Sequence, residues 1–162
     1  AVQTEVQTIR TDLDCFSTEE INALAQLPPG DYPDHILWST LEPCFVCSAA
    51  VMHSHVGLVR FAARDPLMEG VDRLPMLNAW AAGRWPRRDG PVDGPIGRFA
   101  GLLALSWELE RGSTVVPAAY QRSDPGLLDL AGRNIERLRS LAAEPVEAAL
   151  ADLLPELDRT GE

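Results

Sequence analysis

The fold is decided by one stretch of the chain, Thr40-Leu41-Glu42-Pro43-Cys44-Phe45-Val46-Cys47. It follows the apolar run 36–38, and together they predict a buried strand, a tight turn and the start of a helix. Proline suits a first helical turn, because the N–H that it lacks has no partner there. On such a helix Cys44 and Cys47 share one face, so both sulfur atoms can reach a single ion at about 2.3 Å.

The chemistry of this pair depends on thiolate formation. The positive end of a helix dipole favours negative charge, so the pattern predicts lowered thiol pKa values at Cys44 and Cys47. By itself a C-x-x-C pair is ambiguous, since redox pairs and zinc fingers share it. The preceding proline and the strand-to-helix context favour a metal site.

The residues around this stretch predict a β-α-β unit. We expect a strand over 35–40, a helix over 43–54 and a second, β-branched strand over 56–63. Connections of this length require parallel strands and a right-handed crossover. Elsewhere, apolar spacing predicts helices over 3–10, 18–27, 74–82, 98–111, 125–142 and 144–157, a loop over 83–97, and an edge strand or linker over 114–116. A capping box at Ser17–Glu20 would begin the helix over 18–27.

Composition restricts the class of protein. The chain has 162 residues, 46% of them hydrophobic, which is enough for the core of one ordinary domain. Three cysteines are too few for a disulfide framework, so we expect a reduced, cytoplasmic setting. Because no long apolar run and no charged-then-apolar start is present, we also expect no membrane span and no leader segment. Fourteen arginines and no lysine leave a net charge of −10, which disfavours long-range attraction to nucleic acid.

Residues 40–66 resemble a known enzyme family. After the P-C-x-x-C segment they contain Ala49-Ala50-Val51-Met52-His53-Ser54 and Val59-Arg60-Phe61-Ala62-Ala63-Arg64-Asp65-Pro66. This run resembles the zinc-dependent nucleobase and nucleoside deaminases, and it is most similar to the bacterial tRNA adenosine deaminase and guanine deaminase branches. P-C-x-x-C is half of the family signature H-x-E…P-C-x-x-C.

The resemblance implies roles for the residues of a zinc site. Cys44 and Cys47 would be zinc ligands, and the other half of the signature would lie on the helix before the strand, where we assign it to Gln3-Thr4-Glu5. Glu5 would then move protons between a zinc-activated water and the base. Gln3 departs from the His or Cys that supplies the third ligand in the family. Three outcomes stay open: Gln3 binds through its amide oxygen, Cys15 folds back as the third ligand, or the site holds no catalytic zinc.

The fold that the resemblance implies is of the α/β class, a three-layer α/β/α sandwich of the cytidine deaminase type with a mixed sheet and extra C-terminal helices. We expect a deaminase-like domain over 1–116, without the family's first helix and hairpin, and a helical extension over 117–162.

The implied reaction replaces the amine of a nucleobase, nucleoside or related heterocycle by a carbonyl and releases ammonia. The acidic charge favours a small molecule over tRNA. Family members commonly associate, so the resemblance also implies a homo-oligomer. The alternative is a catalytically degenerate relative, marked by Gln3, that acts as a binding or assembly subunit.

Several nearby side chains have both a functional and a structural interpretation. Glu42 would either cap the helix or contact the substrate. His53 lies about 180° from Cys44 on the helix, so we expect it to face away from the metal. The arginines and tryptophans of 80–88 favour a loop packed on the protein's own surface over a base-stacking patch. A thiol–disulfide function is disfavoured by the apolar residues between the cysteines.

Overall fold

A small parallel sheet and seven α-helices form the described part of the protein. The structure is a computed structural model that describes residues 19–141 and 145–159. The strands are β1 (Ile36–Leu41), β2 (Leu58–Ala63) and β3 (Arg87–Asp89). The α-helices are α1 (Glu19–Leu24), α2 (Phe45–Ser54), α3 (Ala79–Arg84), α4 (Pro95–Glu110), α5 (Val115–Ser123), α6 (Pro125–Leu141) and α7 (Val146–Arg159), and two 3-10 helices cover Pro66–Met68 and Val71–Met76. None of these helices is both long enough and apolar enough to cross a bilayer.

The sheet has the strand order β1-β2-β3, and both strand pairs are parallel. Leu37 lies beside Val59, and Val59 lies beside Arg88. The β-α-β unit predicted around the cysteines is therefore confirmed. The mixed sheet is not found among the described strands, all of which run in one direction. The described residues thus form an α/β protein with helices packed on a small parallel sheet.

One face of the sheet forms a core with the first two helices. Side chains alternate across β2, and Val59 and Phe61 point to the buried side. They pack with Leu37 of β1, Val51 of α2 and Ala23 of α1. This core holds α1 and α2 next to each other against the sheet.

Helices α4 to α7 form a second core. Its buried side chains are Phe99, Leu102, Leu105, Tyr120, Leu127, Leu130, Ala131, Leu138, Ala149, Leu153 and Leu157. Helix α4 also lies against β1 and β2. Gly97 permits this approach, because a Cβ atom there would lie 2.1 Å from the carbonyl oxygen of Val92 and 2.8 Å from that of Ala62. One helix therefore packs on both the sheet and the helical core.

Two expectations for the second half of the chain are wrong. The stretch 83–97 contains β3 and the start of α4, because Arg87–Asp89 pairs with β2 along the edge of the sheet. The edge strand or linker expected over 114–116 is instead the start of α5. Residue 116, the expected end of the deaminase-like domain, lies in α5, which packs on α4 and α6, and the division into a domain and an extension stays a prediction. The helices expected over 98–111, 125–142 and 144–157 are confirmed as α4, α6 and α7, with small differences at their ends.

The helical core predicts a steep cost for truncating a buried leucine of α4. Leu102 is fully buried, whereas its neighbour Leu103 is 38% exposed. We expect Leu102→Ala to lower the free energy of unfolding by about 2–5 kcal/mol, because it leaves a cavity in packed surroundings. Leu103→Ala should cost less than about 1 kcal/mol. Urea denaturation of the two variants measures both losses, and equal losses would contradict this packing.

Candidate metal and catalytic site

Both cysteines of the C-x-x-C motif lie at the start of α2. Cys44 is the N-cap residue, with φ −62° and ψ 172°, and its sulfur accepts a hydrogen bond from the Cys47 N–H at 3.3 Å. The two sulfur atoms are 2.7 Å apart, and neither belongs to a disulfide. Cys47 is buried, whereas Cys44 is partly exposed. A ligand from solvent would therefore meet Cys44 first.

A buried turn places Cys44 at the cap. After β1, the Glu42 N–H donates to the carbonyl oxygen of Ala63 at 2.8 Å. Pro43 is fully buried and precedes the cap residue Cys44. The helix itself begins at Phe45, two residues later than the predicted start at 43. The Ser48 hydroxyl donates to the Pro43 carbonyl oxygen at 3.1 Å, and the Ser48 N–H donates to that of Cys44 at 2.8 Å. These bonds anchor the first turn of α2.

The Cys44 thiol is acidified by its neighbours. The hydrogen bond from the Cys47 side chain lowers the pKa of Cys44 most, and the backbone N–H groups of Cys47 and Val46 lower it further. Burial and the negative charge of Glu20 oppose them, and the resulting pKa is about 6, compared with an ordinary value of 9.0. Cys44 is therefore mostly thiolate at neutral pH, the form that binds metals and attacks electrophiles. The lowered pKa predicted from the sequence is confirmed for Cys44.

Glu20 is the acid that acts on this pair from the neighbouring helix. It lies in α1, which packs against α2, and its Oε1 accepts a hydrogen bond from the Ser39 hydroxyl at 2.7 Å. Its charge raises the pKa of Cys44, so the carboxylate and the sulfur are close enough to interact. In the described part of the chain, α1 is the helix directly before β1, which is where the acid of the H-x-E half is expected.

A signal for Glu20 is present in the sequence, although the capping-box pattern conceals it. Thr18-Glu19-Glu20-Ile21 has an acid at the third position, as in H-x-E, with Thr18 in place of the ligand. Gln3-Thr4-Glu5 has the same spacing further upstream. Gln3, Glu5, Cys15 and Thr18 lie outside the described residues, so the roles predicted for Gln3 and Glu5 stay predictions.

A third metal ligand does not accompany the cysteines within residues 19–141 and 145–159. No cluster of three His, Cys, Asp or Glu side chains in these ranges could hold a metal ion. His53 is exposed, and its ring meets that of Trp80 edge-on at 6.1 Å. The sulfur atoms of Cys44 and Cys47 are therefore the metal-binding groups that the described residues contribute.

Glu42 is buried in an ion pair. Its side chain is 2% exposed, and its Oε1 lies 2.7 Å from Nη2 of Arg88 and 3.8 Å from Nη1 of Arg64. The helix cap is Cys44, so the capping interpretation of Glu42 is wrong. Arg88 belongs to β3, in the stretch for which the sequence predicts a loop. The predicted contact between Glu42 and a substrate stays a prediction.

The arginines and tryptophans of 80–88 pack largely on the protein itself, as expected. Arg84 donates to the carbonyl oxygens of Met52 and His53 at 3.0 Å each, and it forms an ion pair with Asp31. Its guanidinium carbon lies 5.5 Å from the ring centre of Trp80, which is 53% exposed. Arg84, the last residue of α3, thus connects the last turn of α2 to α3.

No protein-family model matches the chain, and no solved structure matches it at a significant level. The resemblance to deaminases therefore stays a prediction, which rests on residues 40–66 and on Gln3-Thr4-Glu5. Fold and site define a coarse class, an α/β protein with a paired-thiol site at a helix N-terminus.

The acidified thiol predicts the pH profile of cysteine alkylation. In metal-free Cys15→Ser protein the pair provides the only thiols, and we expect iodoacetamide to modify Cys44 with a midpoint near pH 6, because only the thiolate reacts. Glu20→Gln should move the midpoint to lower pH, since the charge that raises the Cys44 pKa is gone. Mass spectrometry of labelled peptides over a pH series measures both values.

The control for this experiment is Asp34→Asn. It removes one negative charge at an exposed position, and we expect it to leave the midpoint unchanged. If the alkylation midpoint of Glu20→Gln were equal to that of the parent protein or higher, Glu20 would not act on the cysteine pair.

Proposed function

We propose that this protein is a zinc-dependent hydrolytic deaminase that acts on a nucleobase, a nucleoside or a related small heterocycle. The observation that carries the proposal is the acidified Cys44–Cys47 pair at a helix start, with Glu20 close enough to act on it. Thiolates and a nearby carboxylate are groups that this chemistry requires. In this proposal the fold is the three-layer deaminase sandwich, to which the described residues contribute the β-α-β unit, with α1 packed beside its helix in the same core.

The cysteine pair suits zinc in donor type and in placement. Thiolates are preferred zinc ligands, and sulfur atoms 2.7 Å apart can both lie within about 2.3 Å of one ion. In this proposal the third donor comes from residues 1–18, where Gln3 and Cys15 are the candidates.

Glu20 provides the proton transfers of the proposed reaction. Zinc, when bound, supplies a Lewis acid that makes water a nucleophile at neutral pH. Ser39 holds Oε1 of Glu20, and the carboxylate takes protons from the attacking water and delivers them to the ring nitrogen and to the departing amine. The amine leaves as ammonia, and a carbonyl takes its place. Glu42 does not share this task, because its carboxylate is buried against Arg88.

The charge of the protein supports a small substrate. With a net charge of −10, the chain attracts a polyanion such as tRNA weakly. Arg88 already forms ion pairs with Glu42 and Asp72, and Arg84 forms one with Asp31, so their charges are balanced within the protein. We therefore favour a free base or nucleoside over tRNA adenosine. The cytoplasmic setting and the homo-oligomer belong to this proposal as predictions from the sequence.

A second candidate is a degenerate deaminase that binds its ligand without converting it. Two observations favour it. Neither Thr18, two residues before Glu20, nor Gln3, two residues before Glu5, is the His or Cys that the family has at this position, and within the described ranges no third ligand accompanies the cysteine pair. Such a protein would hold substoichiometric zinc and would release no ammonia.

Metal content and ammonia release separate the two candidates. For the deaminase we expect about one zinc ion per chain in protein purified without chelators, and ammonia release from a member of a base and nucleoside panel. Zinc well below one ion per chain, without turnover, would contradict the deaminase and support the degenerate relative.

Two matched variants test the assignment of the proton carrier. We expect Glu20→Gln to lower kcat by about 100- to 10,000-fold, because the general acid–base group is lost, and to leave the zinc content unchanged. Glu5→Gln is the matched control and should keep its activity. The reverse result, a loss in Glu5→Gln alone, would assign the role to the residue predicted from the resemblance.

A further inference from the structure

Two arginines hold the two ends of the helix that carries the cysteine pair. At the C-terminal end, Arg84 donates to two carbonyl oxygens of the last turn of α2. At the N-terminal end, Arg88 reaches Glu42, two residues before the cap residue Cys44. Both arginines belong to the short segment that contains α3 and β3. The effects of the two side chains on the site can therefore be compared directly.

Arg88 is held on four sides. Its Nη2 lies 2.7 Å from Oε1 of Glu42, and its Nε lies 3.1 Å from Oδ1 of Asp72. Its guanidinium carbon lies 5.1 Å from the ring centre of Phe61 and 5.5 Å from that of Trp85. The side chain is 11% exposed. A guanidinium presents its donors in a rigid, planar fork and stacks on aromatic rings, whereas an ammonium group is a compact and strongly hydrated point charge.

Glu42 connects Arg88 to the helix cap Cys44. Its N–H is bonded to Ala63 of β2 and its buried carboxylate to Arg88, so its backbone and its side chain are both fixed. The next residue, Pro43, is fully buried and has a φ angle restricted by its ring. A shift of Glu42 would therefore pass to Cys44 instead of being absorbed between them.

We propose that Arg88 is a positioning residue for the Cys44–Cys47 pair and that it acts through the buried carboxylate of Glu42. A buried ion pair is a poor source of stability, because the desolvation of both charges offsets their attraction. Its effect here is geometric, since it fixes the turn, the cap and hence the separation of the two sulfur atoms. The consequence for metal binding rests on the proposed function, whereas the consequence for sulfur spacing does not.

Arg88→Met and Arg84→Met are the matched variants that test this inference. Each removes one guanidinium from one end of α2, and we expect both to lower the melting temperature. Only Arg88→Met should weaken Co²⁺ binding, by about 10- to 100-fold, as is typical when residues that orient metal ligands are lost. Competition with a chromophoric chelator measures the affinity, and the thiolate-to-Co²⁺ charge-transfer band reports on the cysteines.

A second readout does not depend on a metal. Phenylarsine oxide bridges two thiols through one arsenic atom, with loss of water, so its binding depends on the separation of the two sulfurs. In the Cys15→Ser background the pair is the only target. We expect Arg88→Met to lower the affinity for this reagent by about tenfold, the lower end of the same range, and Arg84→Met to leave it unchanged.

Two further variants separate geometry from charge and from folding. Arg88→Lys keeps the charge, and we expect it not to restore the affinities, because an ammonium group does not span Glu42 and Asp72. The double variant Glu42→Gln/Arg88→Met removes both charges of the pair, so it replaces Arg88→Met if that variant does not fold.

Equal losses in Arg84→Met and Arg88→Met would overturn the inference, because the effect would then be a general destabilisation of α2. Unchanged binding of both probes in Arg88→Met, or in the double variant, would overturn it as well. Protein that binds the arsenical but neither Co²⁺ nor Zn²⁺ would refute the proposed zinc function. In that case the comparison with the arsenical alone decides the role of Arg88.

Discussion

The parallel pairing of β1 with β2 brings the parts of the site to one edge of the sheet. The C-terminal ends of parallel strands lie side by side, and here the Glu42 N–H, just after β1, donates to the carbonyl oxygen of Ala63 at the end of β2. Helix α2 begins just beyond this edge, so the cysteines lie where a helix N-terminus meets the strand ends. Strand β1 also carries Ser39, whose hydroxyl donates a hydrogen bond to Glu20. The position of the helix cap Cys44 and that of Glu20 therefore both depend on this strand pair.

Two carboxylates flank the cysteine pair, and their surroundings give them different properties. Glu42 is buried against a guanidinium, so its charge is already balanced within the protein. Glu20 is bonded to a neutral hydroxyl, and its charge acts on the Cys44 sulfur. The two acids therefore differ in what their charges act on, a guanidinium for Glu42 and the Cys44 sulfur for Glu20.

The sequence predicts the β-α-β unit because its signals are local, namely apolar runs, a proline turn and β-branched residues. Strand β3 (Arg87–Asp89) has no such signal and forms because the edge of β2 is there to pair with. Residues 115–116 favour a strand by propensity, yet packing on α4 and α6 makes them helical. In the site, the cysteines are predictable, whereas Glu20 also fits a capping box. The contact between Glu42 and Arg88 joins residues 46 apart, and no local pattern connects them.

Helix α4 has a consequence for how the molecule unfolds and how it can evolve. It covers part of the sheet and also supplies three buried side chains to the helical core. Because α4 packs on both, disruption of either one removes contacts of α4, which couples the sheet and the helical core into one cooperative transition. For the same reason, the C-terminal helices are not a module that recombination can attach to another sheet. A transplanted set would have to include a helix that fits both a sheet and a helical core.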